Sequence, residues 1–253
     1  MSEPFLLTAK GLHKTYGRGE AVVRAVNGID IDLSSGEMVA IMGSSGSGKT
    51  TLLHLLSGLT RTDTGSIQCA GQELTKLSDR MLTSIRGKQI GVVFQSYKLM
   101  PTLSVLDNVA LPLMLAGTSP SAARTVARQR LDSVEISHQA SQRPARLSGG
   151  EQQRVAIARA LVTEPSIVMA DEPTGNLDRE NSQIVCQLLR QLAQGQRAVL
   201  IVTHDPVVAW HADRIIVLSD GTVADSFGRN ETDSVEALAA RCFRSAQLKR
   251  VKS

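Results

Sequence analysis

Hydrophobic and polar positions alternate along this chain with two distinct periods, and the shifts between them divide it into elements. Short, unbroken apolar runs at Met38-Val39-Ala40-Ile41-Met42, Ile167-Val168-Met169-Ala170 and Ala198-Val199-Leu200-Ile201-Val202 read as strands buried on both faces, as in a parallel sheet. Ile90-Gly91-Val92-Val93 is a further strand candidate. Ile29-Asp30-Ile31-Asp32-Leu33-Ser34 alternates with period two, the signature of a half-exposed strand. Ile215–Leu218, Asp220-Gly221 and Thr222-Val223 predict a hairpin, because Asp-Gly suits a tight turn of left-handed residues. Helical spacing appears in Thr51–Ser57, with Gly58 as its stop. It recurs in 121–134, where Ala123, Val126, Ala127, Arg130, Leu131 and Val134 share a face. Ser104–Leu111 reads as a helix start that Pro112 interrupts, and Ser234–Phe243 as a short helix with Val235, Leu238, Ala239 and Cys242 on one side. The expected fold is α/β: a parallel-sheet core, an antiparallel β subdomain and an inserted α-helical subdomain.

Candidate chemistry sits at the ends of the buried strands. Gly43-Ser44-Ser45-Gly46-Ser47-Gly48-Lys49-Thr50 follows the Met38–Met42 run and precedes a helix, fitting G-x-x-x-x-G-K-[ST] without a mismatch. Its glycines let backbone N–H groups turn inward as an anion nest, and the helix N-terminus adds a positive dipole end. Lys49 then acts as a point charge on the β- and γ-phosphates, and the Thr50 hydroxyl takes a place on Mg²⁺. The Ile167–Ala170 strand ends in Asp171-Glu172 and then Pro173. Neighbouring strand residues point to opposite faces, so these two acids divide the work. Asp171 is suited to hold Mg²⁺. Glu172, projecting beyond the strand end, is placed to polarise a water for attack on the γ-phosphate.

Between these motifs lies Leu147-Ser148-Gly149-Gly150-Glu151-Gln152-Gln153-Arg154, a Gly-rich opening to a helix whose N-terminus is a second anion site. Taken together, the chain resembles the nucleotide-binding subunit of an ABC (ATP-binding cassette) transporter over about residues 5–226. The resemblance extends to each short element in order. Tyr16 stands where the family stacks an aromatic on adenine. Gln95 matches the Q-loop, Ser148 and Gly150 the signature, Asn176-Leu177-Asp178 the D-loop and His204 the switch histidine.

The resemblance implies a division into an ATP-binding domain at 1–228, with a RecA-like P-loop NTPase core and a helical subdomain at about 96–160, and a basic C-terminal tail at 229–253. It implies ATP and Mg²⁺ as ligands. The nucleotide falls to Tyr16, Gly43, Ser44, Ser45, Gly46, Ser47, Gly48, Lys49, Thr50, Thr51, Ser148, Gly149, Gly150 and Asp178, and the metal to Thr50, Gln95 and Asp171. Glu172, His204 and Gln95 serve hydrolysis. It also implies a head-to-tail homodimer in the ATP state, in which each signature faces the partner's γ-phosphate. The partner chain is an integral-membrane permease, placing this chain at the cytoplasmic face of the inner membrane as a peripheral subunit. Tyr97, Leu99, Met100, Pro101 and Leu103 offer apolar contacts either to that permease or between subdomains.

The wording of Phe94–Pro101, Glu172–Asp178 and the double Gln after the signature resembles the branch serving macrolide export and lipoprotein release (MacB- and LolD-like) and the FtsE–FtsX division system. Thr50 departs slightly from that branch, which usually has Ser there. An FtsE-like ATPase that drives a membrane partner without transport stays open as an alternative, as does a soluble ABC ATPase for DNA repair or translation.

Composition changes this picture little. The 253 residues are 42% hydrophobic, ample for a core, and no apolar run approaches the roughly 18 residues needed to span a bilayer. Met1-Ser2-Glu3-Pro4 lacks the basic lead of a secretory signal. The net charge of +4 is too modest to imply nucleic acid as a partner. Arg241, Arg244, Lys249, Arg250 and Lys252 crowd the end, where such a run is expected to be solvated and mobile. Three scattered cysteines, Cys69, Cys186 and Cys242, suit reduced, buried thiols rather than a zinc site.

Overall fold

In a computed structural model of the chain, residues 5–17 and 21–251 are described, without the side chains of Arg250 and Val251. Met1–Pro4 and Lys252 therefore lie outside the described residues. The first strands, β1 (Leu7–Tyr16) and β2 (Val23–Leu33), pair antiparallel, and β2 carries the expected alternation: Ile29, Ile31 and Leu33 are buried while Asp30 is exposed. After β3 (Met38–Met42) and α1 (Lys49–Leu56), the chain returns through β4 (Thr64–Cys69) and β5 (Gln72–Glu73) to complete an antiparallel sheet of order β2-β1-β4-β5.

The second sheet adds β6 (Ile90–Val93), β7 (Ile167–Asp171), β8 (Ala198–Thr203), β9 (Arg214–Ser219) and β10 (Thr222–Gly228) to β3, in the order β10-β9-β3-β8-β7-β6. Strands β6, β7, β8, β3 and β9 run parallel, and β10 folds back antiparallel on β9. All five residues of β3 and all six of β8 are buried, as continuous apolar runs require. The β9–β10 turn holds Asp220 and Gly221 at φ 49° and 75°, the left-handed pair that an Asp-Gly hairpin supplies.

Helices α2 (Asp79–Gln89), α3 (Val105–Leu115), α4 (Pro120–Ser133), α5 (Gly149–Leu161), α6 (Arg179–Ala193) and the short α7 (Pro206–Ala209) complete the parallel-sheet layers. Helix α4 buries Ala123, Ala127 and Leu131, one face of the expected amphipathic segment. Pro112 does not break α3 as its sequence suggested: the helix runs through it to Leu115. Pro112 sits eighth of eleven residues, so only one intrahelical bond is lost, and Val105, Val109 and Ala110 bury the face that holds the helix in place. Tyr97 and Leu99 pack against the central core, whereas Met100 is exposed.

The C-terminal segment corrects the expectation of a solvated tail. It forms α8 (Val235–Val251), whose Leu238 and Cys242 are buried against the central core. Arg241 lies over the Phe227 ring and donates to Asp225 on β10 (3.1 Å) and to Glu231 (3.0 Å). The basic residue that looked solvated is thus a tether. All three cysteines are buried and free, and burial pushes the thiols up, Cys69 and Cys242 to about 11 and Cys186 to about 12, so they remain protonated.

Candidate functional site

Register decides what meets what. Met42 pairs with Thr203, Val202 with Asp171 and Ala170 with Val93, so β3, β8, β7 and β6 end at nearly one level. Whatever follows those strands is delivered to one edge of the sheet, where open parallel sheets place their ligand crevices. The four followers are the Gly43–Thr50 loop, His204, Glu172 and Gln95. They surround a cavity of about 620 Å³ lined by Ala25, Ser44, Ser45, Gly46, Gly48, Lys49, Thr50, Thr51, Gln95, Glu172 and His204.

The loop is held by backbone chemistry that only glycine allows at two points. Gly48 caps α1 at φ 101°, and a Cβ there would lie 2.0 Å from the Ala25 carbonyl oxygen. A Cβ on Gly43, at φ 157°, would lie 2.4 Å from the carbonyl oxygen of Leu218. Lys49 is only 8% exposed and its Nζ donates to the carbonyls of Gly43 (2.9 Å) and Ser44 (3.0 Å). Burial pulls its pKa down, partly offset by Glu172 and Asp171. An ammonium bonded to two carbonyls of its own loop, and lining the cavity, can trade those carbonyls for an anion. The buried Ser47 Oγ has no hydrogen-bond partner among the described residues.

Thr50 Oγ1 donates to Asp171 Oδ1 at 3.1 Å. Asp171 is pushed above the ordinary carboxylate range by desolvation, against the pull of the Thr50 bond. A hydroxyl and a desolvated carboxylate side by side form a hard-oxygen pair that fits Mg²⁺. Glu172 stands at φ 44°, a left-handed conformation that costs a non-glycine residue about 1–3 kcal/mol. Its N–H bonds the Val202 carbonyl (2.8 Å) and its own carbonyl accepts from Gly175 N (3.1 Å). Its Oε1 lies 2.9 Å from His204 Nδ1 and its Oε2 accepts from the Thr203 hydroxyl at 3.3 Å. A carboxylate only accepts, so the imidazole donates from Nδ1. Thr203 escaped the sequence reading; a hydroxyl ending an otherwise apolar strand was the available signal. Ala25 escaped it too, and carried none.

The remaining expected site residues sit elsewhere. Tyr16 ends β1, 44% exposed, with Lys14 Nζ 5.6 Å from its ring, and does not line the cavity. Ser148 caps α5 in a reciprocal box: its Oγ accepts from Glu151 N (3.3 Å) and Glu151 Oε2 accepts from Ser148 N (2.7 Å). With Gly149 and Gly150, it lies outside the cavity lining. Asp178 caps α6, accepting from Asn181 N at 2.8 Å, and is likewise outside the lining. Residues 26–175 match the family model described as ABC transporter. The chain belongs to the ABC transporter family.

Two curated relatives and one solved structure place the cassette further. The lipoprotein-releasing system ATP-binding protein LolD of Chromohalobacter salexigens is 44% identical over 221 residues, covering 87% of this chain and 93% of LolD. The macrolide export ATP-binding/permease protein MacB of Chlorobaculum tepidum is 44% identical over 212 residues, covering 84% of this chain but 32% of MacB. A dimeric post-hydrolysis state of the ATP-binding cassette MJ0796, bound to ADP and Pi, superposes with TM-score 0.82 at 39% identity, covering 88% of this chain and 98% of that one. The chain is an ABC ATPase, built to bind and hydrolyse ATP.

Proposed function

We propose that this cassette energises a separate membrane permease of the lipoprotein-releasing or macrolide-exporting kind, by closing as a head-to-tail dimer on ATP and reopening after hydrolysis. One observation carries the reading: the phosphate loop, Glu172, His204 and Gln95 line one cavity at the end of four parallel strands, and Asp171 is bonded to Thr50 of that loop. The β- and γ-phosphates of the substrate take the place at Lys49 Nζ that the Gly43 and Ser44 carbonyls fill here, within reach of the loop N–H groups. Thr50, Asp171 and Gln95 would hold Mg²⁺, which supplies charge neutralisation on the β- and γ-oxygens. Glu172 takes a proton from a water whose oxygen attacks the γ-phosphorus; the bond to the β–γ bridging oxygen breaks, leaving ADP and phosphate. His204 and Thr203 hold the carboxylate while the proton moves. Tyr16 stacks on the adenine, and Ser148, Gly149, Gly150 and Asp178, which do not line their own cavity, serve the partner's nucleotide.

The ATP-binding domain at 1–228 carries this chemistry, with its helical subdomain at about 96–160 facing the permease through the exposed Met100. No helix among the described residues is long and apolar enough to cross a membrane, which accords with a peripheral place at the cytoplasmic face of the inner membrane. The experiment is a pull-down from detergent-solubilised native membranes with tagged Glu172→Gln, ATP and Mg²⁺. Recovery of a multi-span permease with a large extracytoplasmic domain supports the reading. Recovery of nucleic acid, ribosomes or the cassette alone refutes it.

A further inference from the structure

Gln153 is a buried polar side chain that the proposed hydrolysis does not use. It lies one turn into α5, four residues after Gly149, and is 0% exposed. Its Nε2 donates to the Pro173 carbonyl at 2.8 Å, and its Oε1 is buried with no partner among the described residues. A buried amide with one end unsatisfied is costlier than an aliphatic chain of the same length, so packing alone would favour Met or Leu. What the glutamine adds is a single donor aimed at one backbone oxygen.

That oxygen belongs to the residue after Glu172. Glu172 is the only site acid in a left-handed conformation (φ 44°), held on its N-terminal side by Val202 and on its C-terminal side by the Gly175 N–H. These bonds keep the turn closed on itself and on β8. The bond from Gln153 ties the same turn to a different body, the helix whose N-terminus carries Ser148, Gly149 and Gly150. That helix start is also pressed onto α6: a Cβ on Gly150 would lie 2.1 Å from Asn181 Oδ1. A shift of the α5 N-terminus therefore has little slack before it reaches the Pro173 carbonyl.

We propose that Gln153 is a positioning residue for hydrolysis, linking the helix that meets the partner's nucleotide to the backbone that aims Glu172 at its own. The inference rests on Glu172 as the base and on the head-to-tail dimer. Engagement of the signature in one site is thereby felt as a change of carboxylate placement in the other. Displacement of a catalytic group on this scale costs rate rather than ground-state binding.

The test uses the full chain with Gln153→Met, which keeps the length and loses the donor, and Gln153→Glu, whose buried acid donates only when protonated. The expected result for Gln153→Met is a kcat lower by about tenfold to a hundredfold, with KM for ATP within about threefold and ATP-dependent dimerisation retained. For Gln153→Glu, the ratio of its kcat to wild type rises as pH falls from about 8 to about 6, where a buried carboxyl regains its proton. An unchanged kcat in Gln153→Met overturns the inference. So does a joint loss of kcat, ATP binding and thermal stability, which marks a structural residue. If Gln153→Met does not fold, a flat pH ratio for Gln153→Glu overturns it instead. Glu172→Gln assayed alongside separates the two readings: wild-type hydrolysis by that variant overturns Glu172 as the base and the Gln153 inference with it, whereas a large loss there beside an unchanged kcat in Gln153→Met overturns the Gln153 inference alone.

Discussion

Replacing Glu172 by Gln isolates proton acceptance from everything else the side chain does. The amide has the same shape, its oxygen can accept from the Thr203 hydroxyl, and its NH₂ can donate to a neutral His204 Nδ1 after a tautomer switch. The left-handed backbone at φ 44° is untouched by the change. What disappears is the basic oxygen, and a positioned general base is worth about 10²–10⁴ in rate, or about 2.7–5.4 kcal/mol in the barrier. ATP binding moves the other way. Glu172 and Asp171 both face Lys49, and removing one carboxylate beside the γ-phosphate relieves like-charge repulsion, so nucleotide affinity holds or rises. The assay is phosphate release under saturating Mg-ATP, with size-exclusion chromatography of the same sample. The expected pair of results is hydrolysis down at least a hundredfold and a dimer stable only with ATP. Hydrolysis within threefold of wild type would falsify the base assignment, and a monomer under saturating ATP would refute the proposed closure.

Other outcomes follow from the same geometry. Lys49→Ala removes the cradle's buried ammonium and leaves the Gly43 and Ser44 carbonyls without their donor, so ATP affinity measured by calorimetry should fall at least tenfold while the fold survives by circular dichroism. Gly48→Ala forces a Cβ to within 2.0 Å of a backbone oxygen at φ 101°, so both Tm and ATP binding should drop; an unchanged Tm would show the loop to be looser than described. Leu238→Ala empties a fully buried site under α8 and should cost about 3 kcal/mol, or about 6–12 °C in Tm for a chain of this size. Burial raises the Asp225 carboxyl, but bonds from Arg241 and Ser245 outweigh it and hold the pKa below its usual value. A lowered folded pKa gives stability that is present above the unfolded value and lost as pH falls through the folded one. The Tm gap between wild type and Asp225→Asn should therefore be full near neutral pH and close as pH falls from about 5 to about 3; a constant gap would refute the tether.

The sequence by itself determined the strands and the chemistry attached to them. Buried parallel strands need continuous apolar runs, and Met38–Met42, Ile167–Ala170 and Ala198–Val202 are such runs with few rival readings. The G-x-x-x-x-G-K-T spacing is legible because the anion nest, the lysine and the hydroxyl are all local, set within eight residues by backbone geometry. Elements whose outcome depends on distant partners were less legible. Pro112 reads as a break because a lone helix cannot spare the bond, yet the buried face of α3 carries the helix through. The basic end reads as solvated because charge alone says so, but Asp225 and Glu231 face Arg241 only once β10 has folded back. The Thr203 hydroxyl bond, the Gln153 tether to Pro173 and the left-handed backbone of Glu172 are silent in the sequence, since their meaning lies in what stands opposite them. Tertiary structure alone decided the register that brings four strand ends to one level, and with it the cavity where the loop, Glu172, Gln95 and His204 become a single site.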